Sequence, residues 1–132
     1  MSHFTTVKTK INDLVCLRLA LKDLNMAFTE STVEEKCFVK GYQKQKAEAD
    51  MVIHVSKTYD VGVVVTPKGI KLVADWWGVE VTRGLNEQEF VHLVTQKYAY
   101  HKVKQELQKK GYTLATEEVK EDTSIHIKLK KF

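Results

Sequence analysis

The chain has 132 residues, 43% hydrophobic and 29% charged, with a formal net charge of +4. That length fits one domain, 1–132, able to bury roughly two thirds of its unfolded surface without disulfide or metal staples. No apolar run approaches the ~18 residues of a membrane span, and the N-terminus has no basic segment leading into an apolar core, so neither a membrane protein nor a secreted one is expected. Cys16 and Cys37 stand alone in sequence and read as reduced thiols of a cytoplasmic protein.

In chain order, His3 to Ile11 alternates, with Val7, Thr9 and Ile11 on one side, and predicts a strand. Asn12 is placed to cap a helix over 13–24, whose Leu14, Leu17, Leu21 and Leu24 form one apolar stripe. Strands are predicted at 26–30 and 36–42, and the polar stretch 43–48 reads as a turn or loop. Met51 to Val55 is a strong strand. Val61 to Thr66 and Ile70 to Trp76 flank Pro67-Lys68-Gly69, where fixed φ at proline and tolerance of positive φ at glycine predict a tight hairpin. Asn86-Glu87-Gln88-Glu89 has the form of a capping box and opens a long helix over 87–110, stopped by Gly111. Strands at 113–119 and 124–131 close as a final hairpin. The fold class is therefore α+β: a mainly antiparallel sheet with two helices on one face, in the order β, α, several β, α, β, β.

Met1 to Lys10, Ala49-Asp50-Met51-Val52-Ile53, Tyr59-Asp60-Val61-Gly62, Leu72-Val73-Ala74-Asp75 and Gln96-Lys97-Tyr98-Ala99-Tyr100-His101 together resemble the hypothetical chloroplast reading-frame thirty-five family, over nearly the whole chain and in the same order. These are small proteins of cyanobacteria and algal plastids without an assigned activity. The resemblance implies a setting, cytoplasmic or in the plastid stroma, rather than a reaction. Trp76 to Glu80, and Asp122-Thr123 where Asp-Gly is expected, depart from the pattern.

Several groups offer chemistry. His101 falls between Phe90 and Val94 at the centre of the apolar stripe of the long helix, with Tyr98 and Tyr100 beside it. A titratable ring there can orient a ligand or move a proton; equally, it can be a core histidine bonded to a strand carbonyl. Asp50, Asp60 and Asp75 each end a strand run. They can converge on a ligand or a metal, or each can cap a turn. No metal-ligand spacing accompanies them, so neither metal nor cofactor is expected. The cysteines lack partners at zinc or redox spacing and read as small apolar fillers.

Read as strand neighbours, Trp76 and Trp77 point to opposite faces, leaving Trp77 exposed. With Tyr42, it suits a protein-partner surface. Lys128 and Lys130 alternate with Ile127 and Leu129. That basic face either attracts nucleic acid or keeps a strand edge from pairing. Lysine dominates the cations, with only Arg18 and Arg83 as arginines, which argues against base reading. The leading expectation is a non-enzymatic binding or adaptor protein with a protein partner, its oligomeric state open. The alternatives are a small-ligand protein or enzyme built on His101, Tyr98 and Asp75, and a nucleic-acid binder using the C-terminal lysines.

Overall fold

The computed structural model describes residues 3–32, 34–41, 46–119 and 125–131, with backbone alone for 112–119 and 125–131. The chain runs β1 (Thr5–Lys8), α1 (Leu14–Asp23), β2 (Ala27–Glu30), β3 (Cys37–Lys40), β4 (Lys46–Ala49), β5 (Met51–His54), β6 (Val61–Thr66), β7 (Gly69–Ala74), α2 (Trp76–Arg83), α3 (Glu87–Lys109), β8 (Tyr112–Val119) and β9 (Ile125–Lys131). It is an α+β fold. Five strands form one antiparallel sheet in the order β1-β7-β6-β5-β2, and β3-β4 and β8-β9 form two antiparallel ribbons.

Period-two alternation decides which layer covers which face of the five-stranded sheet. Met51 and Ile53 of β5, Val61 and Val63 of β6, and Ile70, Leu72 and Ala74 of β7 join Cys16, Leu17, Ala20 and Leu21 of α1, Trp76 and Val79 of α2, and Phe90, Val94 and Tyr98 of α3 in one buried cluster. The opposite face is covered by the β3-β4 ribbon. There Val52 packs with Cys37, Val39 and Ala49, and half-buried Phe4, Ala47 and Val64 border them. Gly62 lies under this ribbon, where a Cβ would sit 2.3 Å from Val39 Cγ2. Only a residue without a side chain lets the two layers meet that closely.

Three local expectations are corrected. Three helices are present among the described residues, not two, because Trp76 begins α2 instead of ending a strand. Asp75 caps α2, and Gly84, at φ 84°, closes it in the left-handed conformation. Residues Lys46–Ala49 are a strand rather than a loop, with Ala49 turned inward against Val39 and Val52. Asp13, not Asn12, caps α1, its Oδ1 accepting from the amides of Val15 at 2.9 Å and Cys16 at 3.3 Å.

The capping box of α3 forms as expected: Asn86 Oδ1 accepts from Glu89 N at 2.8 Å, and Asn86 N donates to Glu89 Oε1 at 3.1 Å. The Pro67-Lys68 turn closes between Thr66 and Gly69, and Gly111 takes φ 85° at the end of α3.

Candidate functional site

The stripe of α3 puts Tyr98 and His101 against α1, where they meet polar groups. The Tyr98 hydroxyl donates to Asn12 Oδ1 at 3.1 Å and accepts from Asn12 N at 3.2 Å. His101 Nε2 lies 2.6 Å from Asp23 Oδ2, its side chain 12% exposed. One residue on, Lys102 Nζ sits 3.2 Å from Asp13 Oδ2. The partner of His101 is thus a carboxylate of α1 rather than a strand carbonyl. The Tyr100 ring and the imidazole meet steeply, at 70°, with ring centres 4.9 Å apart, and Lys104 Nζ stands 5.9 Å from the Tyr100 ring centre.

This seam ties α3 to both ends of α1, at Asn12 and Asp13 before its first turn and at Asp23 in its last. Burial pushes the Asp13 carboxyl up, but the Cys16 amide and the Lys102 ammonium outweigh it and leave it below its ordinary value of 3.8. The hydrogen bond to Asp13 raises Lys102 in return.

The three strand-end aspartates each accept backbone amides. Asp50 Oδ2 takes Val65 N at 2.7 Å, Asp60 Oδ2 takes Lys40 N at 2.9 Å, and Asp75 Oδ1 takes Gly78 N at 3.2 Å. Asp60 and Asp75 are 1% exposed. Asp75 Oδ2 has no partner among the described residues. Tyr98, His101, Asp60 and Asp75 therefore bond to separate partners, and no hydrogen bond links any two of them. Among the described residues, no group of three or more His, Cys, Asp or Glu side chains is arranged to hold a metal ion.

Asp60 has a further partner that sequence reasoning missed. Its Oδ1 lies 3.3 Å from His54 Nδ1, and His54 Nε2 lies 2.7 Å from Thr29 Oγ1. A buried carboxylate on one ring nitrogen orients the imidazole and leaves the other nitrogen to the hydroxyl. This line borders a cleft of about 170 Å³ that also includes Cys37, whose Sγ lies 3.7 Å from Thr29 O. The available signal was the alternation of β5, which turns His54 to the same face as Val52, six residues before Asp60. Burial, then Glu35 and Glu30, raise the Cys37 thiol; burial, then Asp13, raise Cys16. Neither is poised as a thiolate at neutral pH.

A different surface is built on α2. Trp76 is 8% exposed and meets Phe90 with ring centres 5.7 Å apart, whereas Trp77 is 56% exposed. The division expected for strand neighbours holds, although a helical turn of roughly 100° per residue produces it. Val81, one turn beyond Trp77, is 63% exposed. The helix is firmly seated: Gly78 lies against the Tyr59 ring, where any Cβ would collide, and Thr82 Oγ1 is within 2.9 Å of Ser56 Oγ. Beside Trp77, a cleft of about 400 Å³ is lined by Trp76, Glu80, Asn86, Glu87 and Gln88. Of the other partner-surface residues, Tyr42 lies outside the described residues. Lys128 and Lys130 occupy same-face register positions on β9.

No described helix is long and apolar enough to cross a membrane. A family model described as "Protein of unknown function (DUF1257)" matches residues 20–128. "Uncharacterized protein ycf35" of Guillardia theta is 33% identical over all of this chain and 98% of its own length. The proteins of the same name from Cyanophora paradoxa and Pyropia yezoensis are 28% and 29% identical, over 100% and 96% of this chain and 98% and 94% of their own lengths. These agree with the resemblance carried by the segments around Met51, Asp60 and His101. No solved structure matches the chain.

Proposed function

From the chain's place in the DUF1257 family, to which it belongs, we propose that it is a small binding protein whose α2 surface docks a protein partner. The observation that carries this is the pair Trp77 and Val81, exposed one turn apart on a helix whose other side is locked into the core. A large indole held on a rigid element loses little entropy on binding and makes a strong anchor. Glu80 and Glu87 in the adjoining cleft set the partner's chemistry: an apolar side chain to cover the indole, followed by lysine or arginine to meet the carboxylates. The family's setting points to the cytoplasm of a cyanobacterium or the stroma of a plastid.

Panning a random peptide display library against the full chain tests this. Enriched peptides are expected to carry an aliphatic or aromatic residue beside a basic one. Trp77→Ala should weaken their binding by at least tenfold, and Glu80→Lys should select against the basic residue. No enrichment, or peptides indifferent to both changes, refutes the reading. Sedimentation velocity separates the case in which the partner is a second copy.

A second reading, a small-ligand protein or enzyme, moves from His101 to the Asp60–His54–Thr29 line. Its support is an imidazole oriented by a buried carboxylate and open to a cleft. An activated aryl ester is the probe. Turnover above buffer that vanishes in His54→Ala supports it, and a rate equal to buffer ends it.

A further inference from the structure

We propose that the cleft between the Pro67-Lys68 turn and the end of β1 binds a small phosphorylated anion of the diphosphate class. The cleft measures about 290 Å³ and is lined by Lys8, Lys68 and Lys71, with Thr9 and Thr66 between them, and no carboxylate contributes to its wall. None of the three lysines forms an ion pair with any described residue, although Lys36, Lys102, Lys109 and Arg18 all do.

The arrangement works against the fold. Lys8 and Lys71 are direct partners in the β1–β7 register, so their side chains leave the same face side by side. Like charges placed opposite one another across strands are destabilising. A lysine at position 8 has an ordinary use, because β1 is an edge and a charge there keeps other strands from adding to it. That does not account for Lys71. Strand β7 lies between β1 and β6 and has no free edge to guard. A bound anion relieves the repulsion and gives all three ammonium groups a common partner.

The site is also built in advance. Thr9 N and Oγ1 both donate to Ile70 O, at 3.1 and 2.6 Å, and Ile70 N donates to Ile11 O at 2.8 Å. Thr66 Oγ1 donates to Gly69 O across the turn. Gly69, at φ 124°, would bring a Cβ to 3.1 Å from Thr9 O and 3.3 Å from Ile11 O. Its lack of a side chain lets the segment after β1 close against the turn and form the wall. Such hydrogen-bonded backbone holds the lysine stems at little further ordering cost when ligand arrives. At this volume, near the lower end of ligand pockets, the cleft suits two linked phosphates better than a whole nucleotide. Nucleic-acid phosphate is the other source of the same chemistry, and a titration with single-stranded DNA distinguishes the two. The site is independent of the α2 docking surface and shares no residue with it.

Titration of the full chain with sodium pyrophosphate at physiological ionic strength, by calorimetry and by amide NMR, decides the matter. Saturable one-site binding is expected, with shifts concentrated at residues 8–11 and 66–71. Lys71→Gln and Lys8→Gln should each weaken it roughly tenfold, with melting temperatures equal to or above the parent's, and Lys104→Gln should leave it unchanged. The absence of saturable heat and of localised shifts overturns the proposal. So does binding that survives Lys71→Gln. In a parallel titration, single-stranded DNA that shifts the same amides at 8–11 and 66–71 and is not displaced by pyrophosphate also overturns it, since the lysines would then serve a strand rather than a small anion. The NMR arm needs only the parent chain, so it stands if a variant fails to fold.

Discussion

The two faces of the five-stranded sheet are sealed by different physics. Helices cover one face with a broad apolar cluster running from Ile11 to Tyr98, with Phe90 fully enclosed. A short ribbon covers the other, with four buried residues, a glycine in close contact and a buried carboxylate clamping one end. Stability on the helical side comes from area removed from water, which tolerates changes of shape that keep volume. On the ribbon side it comes from fit at Gly62 and from the bonds of Asp60, which tolerate almost no change. Small size makes the second seal more exacting, since there is little surrounding surface to compensate an error.

That contrast orders the expected effects of substitution. The largest belongs to the helical face: Phe90→Ala removes a fully enclosed ring at the meeting of α2 and α3 and should cost about 3–5 kcal/mol in chemical denaturation. Next is Asp60→Ala, at about 3 kcal/mol, because it strips an acceptor from Lys40 N and the charge partner from His54. Asp60→Asn should cost clearly less, since its amide oxygen still accepts from Lys40. Equal losses for the two would show that charge, not the hydrogen bond, holds the ribbon. Gly62→Ala should follow at about 1–3 kcal/mol, because Val39 must give way to the new methyl. If that variant melts with the parent, the close fit of the ribbon is not a requirement and the contrast collapses.

The smallest effect is electrostatic and belongs to the helices. Asp13, held low by the Cys16 amide and Lys102 against its burial, and Glu30, held low first by its hydrogen bond to Arg18, have folded-state affinities for protons below their ordinary values of 3.8 and 4.5. A depressed carboxyl contributes stability that is present above its ordinary value and lost as pH falls through the folded one. Thermal melts should therefore be steady near neutrality and decline below about pH 4–5. Asp13→Asn should flatten part of that acid limb. An acid limb unchanged in Asp13→Asn would remove the Asp13 pair from the account.

Much of the fold was legible because local chemistry and tertiary role agree. Asn86 and Glu89 cap α3 whether or not a sheet lies beneath it, and the Pro67-Lys68-Gly69 turn has one natural geometry. Helix α2 was hidden because Gly78, Val79, Val81 and Thr82 are weak helix formers, and its existence rests on the Asp75 cap, the Gly84 stop and burial of Trp76 and Val79. Strand β4 was hidden because alanine, not a large apolar residue, marks its inward side. His101 was legible as a titratable ring at the centre of an apolar stripe with Tyr98 beside it, but their partners Asp23 and Asn12 lie 78 and 86 positions away in sequence. His54 escaped for a related reason: its value depends on Asp60 folding back from the start of the next strand, which no periodicity reports.

The two cysteines divide between the layers, Cys16 beneath the helices and Cys37 beneath the ribbon, both buried and both with raised thiols. Cys16, 1% exposed, therefore reacts with an alkylating reagent only when the helical layer lifts away, whereas Cys37, 9% exposed, already borders the cleft beside His54. Timed labelling with mass readout turns the native chain into a two-channel clock, in which the ribbon thiol should be modified sooner than the helical one, with no engineered probe required.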